Sequence, residues 1–167
     1  MLEAYLDIET TGLDSMSHAI TVVGLYLDDG KRNALIQLVG EQATKQNLLK
    51  SLKDVRTIYT YNGSRFDLPF IRASLSLDLT EHHHHHDLMY DCWRMNLYGG
   101  FKAVERQLAI HRELKGIDGI DAIVLWWRYY NHDDQDALEL LLQYNKEDVV
   151  NLKALRERLS LSVSIKT

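Results

Sequence analysis

The 167-residue sequence predicts one mixed-sheet domain of the α/β or α+β class. Strand-like segments crowd the first 62 residues, helical periodicity governs the chain after Pro69, and a helix crosses over between strands. A 46% hydrophobic content at this length supports one sizeable core, and no repeat or linker divides the chain. Residues 1–167 therefore read as a single domain.

The first strand alternates cleanly. Leu2, Ala4, Leu6 and Ile8 share one face, while Tyr5, Asp7 and Glu9 share the other. Ala19 to Leu27 is rich in β-formers (Ile20, Val22, Val23), Asp28-Asp29-Gly30 is a turn signal, and Asn33 to Val39 resumes as a third strand, which makes a meander. Gln42 to Leu52 carries Leu48, Leu49 and Leu52 at helical spacing, and Val55 to Tyr61 alternates as a fourth strand. Pro69 and Phe70 open a helix through Leu75, and Asp87 to Tyr90 reads as a short fifth strand. Gly99-Gly100 breaks the chain before an amphipathic helix over Phe101 to Leu108. A polar loop with Gly116 and Gly119 leads to two last helices, Ile120 to Tyr130 and Asp134 to Leu159.

Composition excludes some classes. Cys92 is the only cysteine, so no intramolecular disulfide can form, and the first residues have neither the basic region nor the apolar length of a signal peptide. The best apolar run, Ile120 to Tyr130, is interrupted by Asp121 and Arg128 and falls short of the roughly 18 residues of a membrane span. A cytoplasmic protein is the expectation. The net charge of −5 argues against a module that holds nucleic acid only through excess Lys and Arg, but not against metal-dependent chemistry. His82 to His86 sits between Glu81 and Asp87 and reads as a solvated loop, because adjacent side chains diverge and make a poor metal cage.

Three constellations carry chemistry. Asp7 and Glu9 lie roughly 7 Å apart along one strand face. No Lys or Arg stands in that run, so a divalent cation is the economical counter-ion; a solvated strand face is the competing reading. Next, Tyr61-Asn62-Gly63-Ser64-Arg65-Phe66-Asp67-Leu68-Pro69 places an acid at a strand-to-helix turn, where Asp67 serves either as a ligand or as a helix cap. Finally, Leu138, Leu141, Tyr144, Asp148, Leu152, Leu155 and Leu159 form one stripe of the last helix. Asp148 in an apolar stripe costs several kcal/mol unless compensated, by a cation or by a buried Arg or helix N-terminus. Glu147 is expected to point elsewhere.

Together these segments resemble the three motifs of the DEDD exonuclease superfamily. Asp7-Ile8-Glu9 matches Asp-x-Glu, Asn62, Phe66 and Asp67 match Asn-x-x-x-Phe-Asp, and Tyr144 with Asp148 matches the Tyr-x-x-x-Asp of the tyrosine subgroup (DEDDy). Gln143 stands where the histidine subgroup has His. Within the superfamily, Asp87-Leu88-Met89-Tyr90 followed by Leu97 to Glu105 is similar to YprB-type domains, whose pattern has no place for the histidine run.

The resemblance implies an α/β ribonuclease H-like fold, a mixed five-stranded sheet flanked by helices. It also implies a 3′ to 5′ exonuclease that releases nucleoside 5′-monophosphates from the 3′ end of single-stranded DNA or RNA. Asp7, Glu9, Asp67 and Asp148 would hold two divalent cations, Mg²⁺ or Mn²⁺, and Tyr144 would orient or help deprotonate the attacking water. Thr10, Leu13, Asn62 and Phe66 would contact substrate, although Phe66 equally suits a core position and Asn62 a backbone contact.

Other residues invite plainer readings. Trp93, Trp126, Trp127, Tyr129 and Tyr130 suit base stacking, yet the spacing of Trp126 and Tyr130 favours the core. Arg65, Lys102 and Arg106 suit phosphates, but so does any basic helix face. His111 and His132 read as loop or helix-end residues, and Asp133, Asp134 and Asp136 as a dipole-favoured helix start. A catalytically inert domain of the same fold, binding nucleic acid or serving as a scaffold, is the alternative function. An endonuclease ranks below it.

Overall fold

The computed structural model describes residues 1–164. Strands β1 (Glu3–Thr10), β2 (Ile20–Asp28) and β3 (Asn33–Val39) form the expected antiparallel meander. Helix α1 (Lys45–Ser51) leads to β4 (Thr57–Thr60), which pairs parallel with β1. Helix α2 (Asp67–Leu75) then connects β4 to the parallel edge strand β5 (His84–Asp87). The sheet order is β3-β2-β1-β4-β5, so the strand bearing Asp7 and Glu9 lies at its centre. Helices α3 (Leu88–Arg94), α4 (Phe101–Gln107), α5 (Gly119–His132) and α6 (Gln135–Ser164) follow.

The alternation in β1 divides the core. Ala4, Leu6 and Ile8 face α1 and α2, packing with Val23, Leu25, Leu48, Phe70 and Ile71. Tyr5 faces α3, α4 and α6, where it meets Tyr59, Leu88, Cys92, Val104, Leu152 and Leu155. A third cluster joins α5 to α6 over β2 through Val22, Leu125, Trp126, Leu141 and Tyr144. The 30-residue α6 therefore runs across the face of the sheet that carries the acids.

Several expectations need correction. The fifth strand lies in the histidine run rather than at Asp87 to Tyr90. Backbone pairing with β4 needs no particular side chain, and Asp87 ends the strand by capping α3, accepting from the backbone N–H of Met89 at 3.1 Å. The histidines are therefore not a free loop. His82, His84 and His86 are exposed, whereas His83 Nδ1 lies 2.9 Å from the Val55 carbonyl and His85 Nε2 lies 2.8 Å from the Thr60 hydroxyl. Helix α2 begins at Asp67, two residues before Pro69, because proline fits the first turn, where its missing N–H has no partner. Tyr130 is stacked on the buried Trp126 but is itself 66% exposed, so only one of that pair is core.

Asp87 also accepts from the backbone N–H groups of Asn62 and Ser64 and from the Ser64 hydroxyl, joining the β4–α2 turn to β5 and α3. Asn62 needs that support, since its φ of 63° is left-handed. Asp87→Ala is expected to cost about 1–3 kcal/mol in urea unfolding, while exposed His84→Ala stays within about 0.5 kcal/mol of wild type.

Candidate active site

Two elements bring the acids together. In β1, Asp7 and Glu9 project toward α6 just before a register shift between Glu9 and Thr10, a bulge of the kind that re-aims side chains near functional sites. In α6, Tyr144 and Asp148 lie one turn apart and are both buried. One carboxylate oxygen each from Asp7, Glu9 and Asp148 lies within 4.8 Å of the others. Asp67 stands outside that trio but lines the same cleft.

Helix capping does not explain Asp67. Its Oδ1 accepts from the backbone N–H of Ile8 at 3.1 Å, stitching the start of α2 to β1 between the two first-motif acids. The other acids are likewise held. Asn145 Nδ2 donates to Asp7 Oδ2 at 3.3 Å and reaches Glu9 Oε1 at 3.5 Å, and Arg112 Nη2 donates to Asp148 Oδ1.

Burial of so much like charge has the electrostatic consequence expected. Desolvation, then the charge of Asp148, pushes the Asp7 and Glu9 carboxyls well above the usual range. Desolvation raises Asp67 to about 7 despite the Ile8 hydrogen bond, and raises Asp148 to about 6 despite Arg112. An all-oxygen donor set of mutually repelling, dehydrated carboxylates fits a hard divalent cation. Burial and the charges of Asp148, Glu9 and Asp7 also push the Tyr144 hydroxyl far up, so it stays protonated at neutral pH.

A cleft of about 630 Å³ opens over these groups. Asp7, Glu9, Asp67, Tyr144 and Asp148 line it, together with Thr10, Leu13, Asn62 and Phe66, so every sequence-selected site residue meets in one place. Leu13 is 84% exposed, whereas Phe66 packs partly on the core. Asp118, Ile120 and Ile123 at the start of α5 also line it, which the motifs do not indicate.

Four further residues around the acids are not marked by the motifs. Arg112, in the loop after α4, binds Glu105 through Nε and Nη2 at 2.9 and 2.7 Å as well as Asp148, and no periodic pattern in its loop marks it. Glu147 points away from the acid trio, as expected, but it is not without a role. It is buried, with Arg112 Nη1 at 3.7 Å and the Leu114 backbone N–H at 3.2 Å, because α6 is covered on two sides. Lys102 donates to the Tyr144 hydroxyl at 2.8 Å and to the Ile117 carbonyl, a half-buried placement that its basic helix did not distinguish. Asn145 is fully buried beside the acids.

The family model RNase_H_2, described as the RNase_H superfamily, matches residues 4–160. The chain belongs to the RNase_H superfamily, and its mixed five-stranded sheet with flanking helices is the ribonuclease H-like fold. It is 27% identical over 175 residues to the uncharacterized protein YprB of Bacillus subtilis (strain 168), covering 95% of this chain. It spans only 42% of that relative's length. Among solved structures, Brucella melitensis NrnC superposes with a TM-score of 0.60 at 22% identity, covering 98% of this chain and 74% of the other. The family B DNA polymerase from the hyperthermophilic archaeon Pyrobaculum calidifontis gives 0.65 at 16% identity, covering 99% and 24%. These two likenesses concern the fold.

A carboxyl whose native pKa lies above its unfolded value of about 4 binds its proton more tightly when folded. Its stabilising contribution is full below about pH 4 and is lost as pH rises through the native pKa, about 6 for Asp148 and about 7 for Asp67. Thermal melts in EDTA should therefore show Tm falling between pH 5 and pH 8. Excess Mn²⁺ at pH 8 should restore it, since a ligand of the native state alone raises stability.

Proposed function

We propose that this domain is a metal-dependent 3′ to 5′ exonuclease of the DEDD type, tyrosine subgroup, acting on single-stranded DNA or RNA. The observation that carries the reading is the convergence of Asp7, Glu9 and Asp148 from β1 and α6 beneath a cleft that Tyr144 also lines. Asp7, Glu9, Asp67 and Asp148 would hold two divalent cations, Mg²⁺ or Mn²⁺. When bound, these supply charge neutralisation at the phosphate and an activated water.

The residues of the chain do the rest. Lys102 donates to the Tyr144 oxygen, which turns the phenolic proton toward the cleft. With its pKa raised, Tyr144 acts as a hydrogen-bond donor that orients the attacking water or the phosphate, not as the base. Leu13, Ile120 and Ile123 offer apolar surface in the cleft for the terminal nucleobases, with Thr10 and Asn62 as polar groups for the sugar. A single strand suits this cleft, since its bases are already unstacked and available to side chains. Expected products are nucleoside 5′-monophosphates released from the 3′ end.

Matched single-stranded DNA and RNA, labelled at either end and incubated with Mg²⁺ or Mn²⁺, test the reading. The 5′-labelled strand should shorten stepwise while the 3′ label appears at once as mononucleotide. Asp7→Ala and Asp148→Ala should fall to background, and Tyr144→Phe should lose roughly 10²-fold through misplacement of the reacting groups. Strands that are bound but left intact would mark an inert nucleic-acid-binding domain instead.

A further inference from the structure

Asp7, Gly24 and Gln37 form a row across three strands. Asp7 pairs with Gly24 between β1 and β2, and Gly24 pairs with Gln37 between β2 and β3, so all three present the same face of the sheet. The middle position has no side chain. Asn145 of α6 fills it so closely that a Cβ on Gly24 would lie 2.1 Å from the Asn145 Oδ1. A glycine inside a strand marks such a close approach.

The polarity of the row is fixed from its far end. The Leu142 carbonyl can only accept, so Gln37 turns Nε2 toward it at 2.8 Å, and the same Nε2 donates to Asn145 Oδ1 at 3.0 Å. Asn145 must then present its Nδ2 to the acids, meeting Asp7 Oδ2 and Glu9 Oε1. An amide flipped the other way would aim a carbonyl oxygen at two carboxylates.

We propose that Asn145 is a positioning residue for the metal centre, a role that rests on the cation-binding reading above. It pins one oxygen of Asp7 and reaches one of Glu9, and because it is one residue from Tyr144 and three from Asp148, it also fixes how α6 sits on β1. Gln37 sets its orientation and Gly24 gives it room. The relay is neutral, so it steers the carboxylates without supplying a charge that would compete with a cation.

Mn²⁺ titration calorimetry and Tm on four proteins separate this role from simple packing. Asn145→Ala should weaken Mn²⁺ binding roughly 10–100-fold, the range for outer-shell partners of metal ligands, and should lower Tm. In Gly24→Ala/Asn145→Ala, the new methyl occupies the vacated space, so Tm should recover toward wild type while Mn²⁺ binding stays weak. Gln37→Leu, which alters neither the acids nor the space, should weaken binding in the same direction. Recovery of Mn²⁺ affinity along with Tm in the double variant, or wild-type affinity in Gln37→Leu should the double variant not fold, overturns the proposal. Wild-type protein that binds no Mn²⁺ overturns the metal centre itself, a different result from a variant that binds as well as wild type.

Discussion

Everything at the centre of this molecule answers to one electrostatic constraint: Glu9 and Asp148, both buried, and the half-buried Asp7 each bring a carboxylate oxygen within 4.8 Å of the others, with a fourth acid lining the same cleft. Two come from the central strand and one from the longest helix, so the constraint acts exactly where sheet and helix layer meet. Partial burial weakens solvent screening of the repulsion there, and protons or a cation relieve it. The fold supplies partial relief through neutral donors and one Arg. The Ile8 backbone N–H holds Asp67, Asn145 holds Asp7, and Arg112 holds Asp148.

Arg112 shows how the helix side is stabilised. Its guanidinium is mostly buried and is shared among Glu105, Glu147 and Asp148, and Asn151 adds a donor to Glu105 at 2.8 Å. The loop after α4 is thereby tied to α6 by charge as well as by Ile110, Leu114 and Ile117, which pack on the apolar clusters that α6 completes. Glu105 and Asp148 keep Arg112 protonated against burial. Breaking such a cluster by removing one partner leaves an unpaired buried charge, which is costlier than the pair is stabilising.

What the sequence reveals follows from how local each signal is. Period-two alternation in residues 2–9 assigned Asp7 and Glu9 to the face opposite Leu6 and Ile8, because strand geometry alone decides it. Helical periodicity put Tyr144 and Asp148 on a buried face for the same reason, but it missed Glu147 and Asn145, since α6 is covered on more than one side by partners far away in sequence. The strand at His84–Asp87 was illegible because a histidine run has no alternation, and only pairing with β4 defines it. Arg112 lies in an aperiodic loop whose role appears once Glu105 and Asp148 surround it. Gly24, a glycine in the middle of a β-rich run, is the local signal of the close approach that Asn145 makes.

The ribonuclease H-like architecture brings the acids together, and Asp7, Glu9 and Asp148 meet where a cation would neutralise them. Crystals grown with Mn²⁺ and measured at the manganese absorption edge test it most directly. An anomalous peak bonded to oxygens of all three carboxylates is expected, with Arg112 still holding its oxygen of Asp148. A fully ordered site without a peak, or manganese found only on the histidines of β5, would contradict it.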